Sequence, residues 1–223
     1  MQEEQQPAPE TPHKKSHHKD TPEVYILRDW KEYLGESFLI IFSVLLALIL
    51  TEYFSSLHEK KETKELLDNI RTELIHNKQK EQEQYTYQKN VLKAIDSALK
   101  SAALQQKILS NGVLHLEYIA PDGVVNADLT TVAWEIAKTH NITTKVSFKL
   151  VAKLTDIYAN QARIDKVEEK VASVLLSWES RKPENIRTTL LLLRDNYKGW
   201  AFDRAPSLIA KYDDAIKMID EEK

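Results

Sequence analysis

Residues 37–51 read SFLIIFSVLLALILT, a run with no charge and no polar stripe. From Phe38 to Leu50 every side chain is apolar or serine. That run is shorter than the ~18 residues usually asked of a membrane-spanning helix, so its flanks decide the reading. Trp30 and Tyr33 precede it, and Tyr53 and Phe54 follow it. Rings at those places match the aromatic belts at the two boundaries of a bilayer. Tyr33 to Tyr53 spans ~30 Å of helix, the thickness of the hydrocarbon layer. Glu36 and Glu52 fall within about a turn of each end, where a carboxylate reaches headgroups or water. The competing reading is a buried central helix of a soluble protein. The flanks favour a transmembrane helix over 35–54.

On the N-terminal side, residues 1–20 hold three prolines, many charges and almost nothing apolar. Such a segment cannot bury enough surface to offset its ordering entropy and is expected to be a disordered tail. Its acidic start and the lack of a short apolar core set it apart from a signal peptide. Thr21-Pro22-Glu23 opens a second element, with Ile26, Leu27, Trp30, Tyr33 and Leu34 at helical spacing among charges. Residues 21–34 read as an amphipathic helix lying in the membrane interface, with Gly35 as the bend below it.

On the C-terminal side, neither glycine nor proline occurs from Glu36 to Asn111. Propensity alone predicts a largely helical stretch. Leu67, Ile70 and Leu74, then Leu92, Ile95 and Leu99, keep three- and four-residue spacing, but residues 76–84 (HNKQKEQEQ) are wholly polar. The helix is solvated or broken there, so 55–84 reads as a stalk and 85–223 as a distal helical bundle. Lys60 and Lys64 interrupt the seam of the stalk and disfavour a strong coiled coil.

Within the bundle, a short β-hairpin near 113–125 and an ordered loop are both open, with Pro121-Asp122-Gly123 as the turn signal. Asp128 is placed to cap a helix ending near His140. The apolar arc of that helix covers roughly 200°, wider than a one-sided helix requires, so it is expected to pack on two sides around Trp134. A long pattern runs from Thr143 to Trp178, a helix starts at Pro183 and is closed by Gly199, and another starts at Pro206. Trp134, Tyr158 and Trp178 are the expected core aromatics. The fold class is all-α: one N-terminal transmembrane helix, a stalk and a helical bundle.

Composition bounds the chemistry. A formal charge of -3 lacks the basic excess a nucleic-acid binder uses to displace counterions. Zero cysteines exclude disulfides, thiolate nucleophiles and cysteine-held metals. Four glycines supply no dinucleotide fingerprint and no phosphate loop. His13, His17 and His18 in the tail have the chemistry of weak metal ligands but no fixed geometry. His58-Glu59 begins like a zincin helix, yet Glu62 stands where the second histidine is required. Asp128, Glu135 and Asp156 show no acid–base pattern beyond a cap and exposed helix faces. No catalytic residue, metal site or cofactor is expected.

Leu34-Gly35-Glu36, an apolar run ending Ala47-Leu48, and a Lys/Glu-rich helix with Leu66-Leu67 and Glu73-Leu74 resemble a family of uncharacterised bacterial single-pass membrane proteins. Thr131-Val132-Ala133-Trp134-Glu135 is similar to that family's Thr-x-Ala-Trp-Glu element, and Leu150, Leu154 and Tyr158 resemble its following helix. Thr51-Glu52-Tyr53-Phe54 departs from the family's Asn/Trp-rich turn, and the His-rich tail is unlike it. The resemblance implies an architecture and no activity.

The expected function is therefore a non-enzymatic, membrane-anchored interaction or scaffold protein. Its partners would be the lipid bilayer and a protein partner or a second copy of itself, with no nucleic acid. The alternative is a sensor-like bundle that binds a small ligand and signals through a partner. The expected location is the bacterial inner membrane, with the N-terminus cytoplasmic and the bundle outside. Lys14, Lys15, Lys19, Arg28 and Lys31 before the span barely outnumber Lys60, Lys61, Lys64 and Arg71 after it.

Overall fold

The computed structural model describes residues 30–124 and 129–222. The tail at 1–20, most of the expected interfacial helix and Asp128 lie outside them. The chain is all-α and divides into two compact units, Met1–Tyr53 and Phe54–Lys223.

A single helix, α1 (Trp30–Leu99), carries the boundary between the units. It forms because 36–99 offers no proline, no glycine and few β-branched residues. Gly35 lies inside it as an ordinary helical residue, so the expected bend below an interfacial helix is absent and Trp30–Leu34 are its first turn. In the first unit the large side chains between Phe38 and Leu50 are all exposed. Ser43 and Thr51 donate their hydroxyl hydrogens to the carbonyls of Leu39 and Ala47, at 2.7 and 2.8 Å. Each polar atom in the run is thus satisfied within its own helix.

The second unit corrects the expected stalk. Leu66, Leu67, Ile70 and Leu74 are buried in the core, so the bundle begins well before residue 85. Their partners lie far down the chain: on α3 (Val132–Thr139), on α5 (Phe148–Leu176) and on α7 (Ala205–Glu222). The helix α4 (Ile142–Lys145) joins α3 to α5 and adds the buried Ile142. Further along α1, Val91, Ile95 and Ala98 enter a second cluster with Ile108, Ile119, Leu190 and Leu193. That cluster is closed by α2 (Ala102–Ile108) and α6 (Ile186–Lys198). The chain turns at Lys100, and Ser101 caps α2 by accepting from the Leu104 N–H.

The hairpin exists but sits earlier than expected. Its strands are β1 (Leu109–Ser110) and β2 (Val113–Leu114), paired antiparallel with Leu109 opposite Leu114. Asn111 and Gly112 take φ of 51° and 72°, the two left-handed positions a tight I′ turn demands. Pro121-Asp122-Gly123 forms a separate turn, closed by the Gly123 N–H on the Ala120 carbonyl.

Two helix boundaries also differ. Gly199 does not stop α6: it opens a π-helical turn, Gly199–Arg204, that runs directly into α7. The long helix α5 stops at Leu176, where the Ser177 N–H and hydroxyl both bond the Val174 carbonyl. Trp178 therefore falls past the helix end and is 83% exposed, so it is not a core residue. Trp134 and Tyr158 are buried as expected. Helix α3, however, packs on one side only: Trp134 and Ala137 face the core, while Val132 and Ile136 are exposed.

Candidate functional site: a buried polar seam

Residues 76–84 are neither solvated all round nor broken. They connect the two apolar clusters, and one face of α1 there is polar and buried. Glu73, Asn77, Glu81 and Gln88 recur at four and seven residues, the spacing of one helix face, and all are buried.

At the first position, Glu73 caps a helix to which it does not belong. Thr131 stands at the N-terminus of α3 and makes no side-chain cap bond. The Glu73 carboxylate accepts instead from the Ala133 N–H at 2.8 Å and the Trp134 N–H at 3.4 Å. These are two of the donors a helix start leaves without partners, and a negative charge there also complements the helix dipole. The Tyr158 hydroxyl donates to the same carboxylate at 2.7 Å. Burial, with Glu73 accepting its proton, pushes the Tyr158 phenol far above its usual range. The Trp134 and Tyr158 rings stack at 5.4 Å, so the cap also fixes an aromatic pair.

One turn on, the Asn77 amide donates to the Thr130 carbonyl at 2.7 Å and accepts from the Thr130 N–H at 3.0 Å. It pairs with backbone as a strand neighbour would, holding the segment that leads into α3. Gln161 on α5 donates to the Tyr212 hydroxyl at 2.7 Å, joining α5 to α7 at the same level.

Glu81 is different. It is 2% exposed and no cation pairs with it among the described residues. Burial pushes its carboxyl up to about 7; the Trp200 indole opposes that rise and the Glu168 carboxylate adds to it. Neither Glu81 Oε1 nor Trp200 Nε1 reaches a partner in hydrogen-bond geometry. An unpaired carboxylate in such surroundings is costly when charged, so protonation is the cheaper state over much of the neutral range.

Three clefts border this seam. One of about 480 Å³ opens beside Glu73 between Leu66, His76, Val132 and Ile136. Two smaller ones, of about 150 and 170 Å³, share Trp200 and Arg204 on the π-helical turn. A fourth, of about 780 Å³, lies away from the seam against Lys60, Lys64 and Lys145.

The membrane-interface residues read from sequence take no part in these sites. Trp30, Tyr33, Glu36, Glu52 and Tyr53 are exposed on the first unit, and Phe54 is exposed at the start of the second. None of the seam residues was legible as such, because a polar residue at a buried position looks like a solvated one until its partner is known. Among the described residues no three His, Asp or Glu side chains converge as metal ligands would. The chain matches no protein-family model, no curated protein and no solved structure.

Proposed function

We propose that this is a non-enzymatic, membrane-anchored interaction protein that presents its helical bundle on one side of a bilayer. The observation that carries the reading is the state of the apolar run. Among the described residues there is one helix long and apolar enough to cross a membrane, and none of its apolar window is buried. Phe38, Leu39, Ile40, Leu48 and Ile49 are each more than 60% exposed. A soluble protein rarely leaves so large a contiguous apolar surface in water. A buried core helix would instead have its window covered.

The polar seam supports a structural role rather than a catalytic one. Glu73 and Asn77 spend their hydrogen-bonding capacity on backbone groups, and no nucleophile is set against a base there. The exposed Val132, Ile136 and Trp178 give the bundle apolar surface of the kind partners use. The second reading, a ligand-binding sensor that signals through a partner, draws on the 480 Å³ cleft beside Glu73. The likeness to bacterial single-pass proteins places the chain in an inner membrane, tail inside and bundle outside.

The test is a carbonate wash of membranes carrying the full chain. It is expected in the pellet; recovery in the supernatant refutes the anchor. An enzyme reporter that functions only in the cytoplasm, fused to the C-terminus, is expected to be silent, and its activity would reverse the orientation.

A further inference from the structure

The cleft of about 780 Å³ on the second unit is lined by Lys60, Lys61, Lys64 and Lys145, with the hydroxyls of Ser56 and Thr144. We infer that it seats the phosphate headgroup of an anionic phospholipid, an inference that rests on the membrane-anchored reading above.

The carboxylates around the cleft are already engaged. Glu62 accepts from His140 at 2.7 Å and from Lys145 at 3.0 Å. Those two partners hold its carboxyl below the usual range, so it stays charged and occupied. Glu222 is bonded to the Ser147 N–H and hydroxyl, at 2.6 and 3.0 Å, at the start of α5. Glu59 lies 3.8 Å from Lys145. Lys61 has only a long, exposed contact with Glu65 at 3.9 Å. Lys60 and Lys64 are exposed and have no ion-pair partner among the described residues. They stand four residues apart on one face of α1, where like charges repel and a shared anion relieves both.

Position supplies the occupant. Ser56 is six residues beyond Leu50, so the chain itself keeps it within ~20 Å of the end of the apolar run. Lys60 and Lys64 stand about 9 and 15 Å past Phe54 along α1. A lysine reaches several ångströms back along its stem, which brings Lys60 to the headgroup layer. Lys64 and Lys145 add a field that acts within a Debye length.

Beside the cleft, Phe148 opens α5 at 86% exposure, between Lys145 and Lys149. A large ring so exposed beside cations is what an interfacial contact uses: the ring enters the headgroup boundary and the lysines meet phosphate. A soluble anion would draw on the same lysines but has no use for Phe148.

The chain has no cysteine, so Phe148→Cys gives one labelling site for a nitroxide. The labelled full chain is reconstituted in vesicles of phosphatidylcholine, and of equal parts phosphatidylcholine and phosphatidylglycerol. In the mixed vesicles the label is expected to become immobilised and accessible to lipid-dissolved oxygen. In phosphatidylcholine it is expected to stay mobile and open to a water-soluble, uncharged nickel chelate. Lys60→Gln and Lys64→Gln are each expected to lower the docked-to-undocked ratio about fivefold. Circular dichroism of both variants checks that the bundle is unchanged.

A chain that floats with both vesicles while its label stays aqueous in both overturns the headgroup site and leaves the anchor standing. A chain that floats with neither overturns both. Immobilisation in phosphatidylcholine on adding inorganic phosphate overturns the lipid assignment in favour of a soluble anion.

Discussion

Replacing Glu81 by glutamine should make the protein more stable at pH 8 and change it little at pH 5. The carboxyl has an ordinary value of 4.5 and stands at about 7 in the folded chain. Between those two values the folded state keeps a proton that the unfolded state has released. Stability therefore falls as pH rises through this window, and the full cost is reached above 7. A displacement of that size amounts to about 3 kcal/mol. For a chain of this length the same quantity moves the melting temperature by roughly 6–12 °C. Exposed carboxylates with lowered values, such as Asp156 beside Lys211, pull the other way, but they are present in both proteins and cancel in the difference. The assay is urea unfolding of the full chain and of Glu81→Gln in detergent micelles, followed by circular dichroism at pH 5 and pH 8. The gap between the two proteins should open by about 3 kcal/mol in favour of the variant as pH rises. A gap that does not change with pH, or that opens in favour of the parent, would refute the reasoning and mean that the carboxylate has a partner worth its charge.

Trp134→Ala removes a ring that is 4% exposed and stacked on Tyr158, and should cost about 3–5 kcal/mol in the same unfolding assay; an unshifted curve would place Trp134 on a binding face instead. Trp178→Ala, at 83% exposure, should stay within about 0.5 kcal/mol, and a larger loss would mean that this ring is covered. Gly112→Ala forces a Cβ onto a left-handed residue with φ of 72°, so about 1 kcal/mol should be lost although nothing lies within 4 Å of the added atom. Equal stability there would show that the turn relaxes to another type.

Much of the architecture was legible because it depends on local pattern. The run at 37–51 announces itself by having no charge, and Leu67, Ile70 and Leu74 announce a buried face by their spacing. What was not legible depends on partners distant in the chain. Asn77 is buried because Thr130 offers it a whole peptide group, 53 residues away. Glu73 is buried because α3 starts without a side-chain cap of its own. Nothing in HNKQKEQEQ distinguishes those polar residues from solvated ones, so a stalk was the natural reading. Trp178 fails for another reason: its spacing continues the stripe of α5, but Ser177 ends the helix first. Asn111-Gly112 was readable as a hairpin turn; the more conspicuous Pro121-Asp122-Gly123 stood nearby. Gly199 and Pro206 resemble a stop and a start, yet glycine tolerates a helix and proline is accepted in a first turn.

The wide turn at Gly199–Arg204 also sets the phase of everything after it. Buried positions run Leu190, Leu193, Tyr197, Trp200, then leap to Ala205 before resuming at Leu208, Tyr212, Ala215 and Ile219. The leap of five is the extra residue that a π turn accommodates and an α turn does not. Were one residue lost between Trp200 and Ala205, an unbroken α-helix would form with ease, and all of α7 would be rotated about 100° on its axis. Asp213 and Asp220 would swing toward the core, and Tyr212 would leave Gln161. Reading-frame-preserving deletions of a single codon are usually tolerated in surface turns, but here such a deletion would spare local structure and ruin the bundle at a distance. The segment behaves as a spacer whose length, more than its composition, is under constraint.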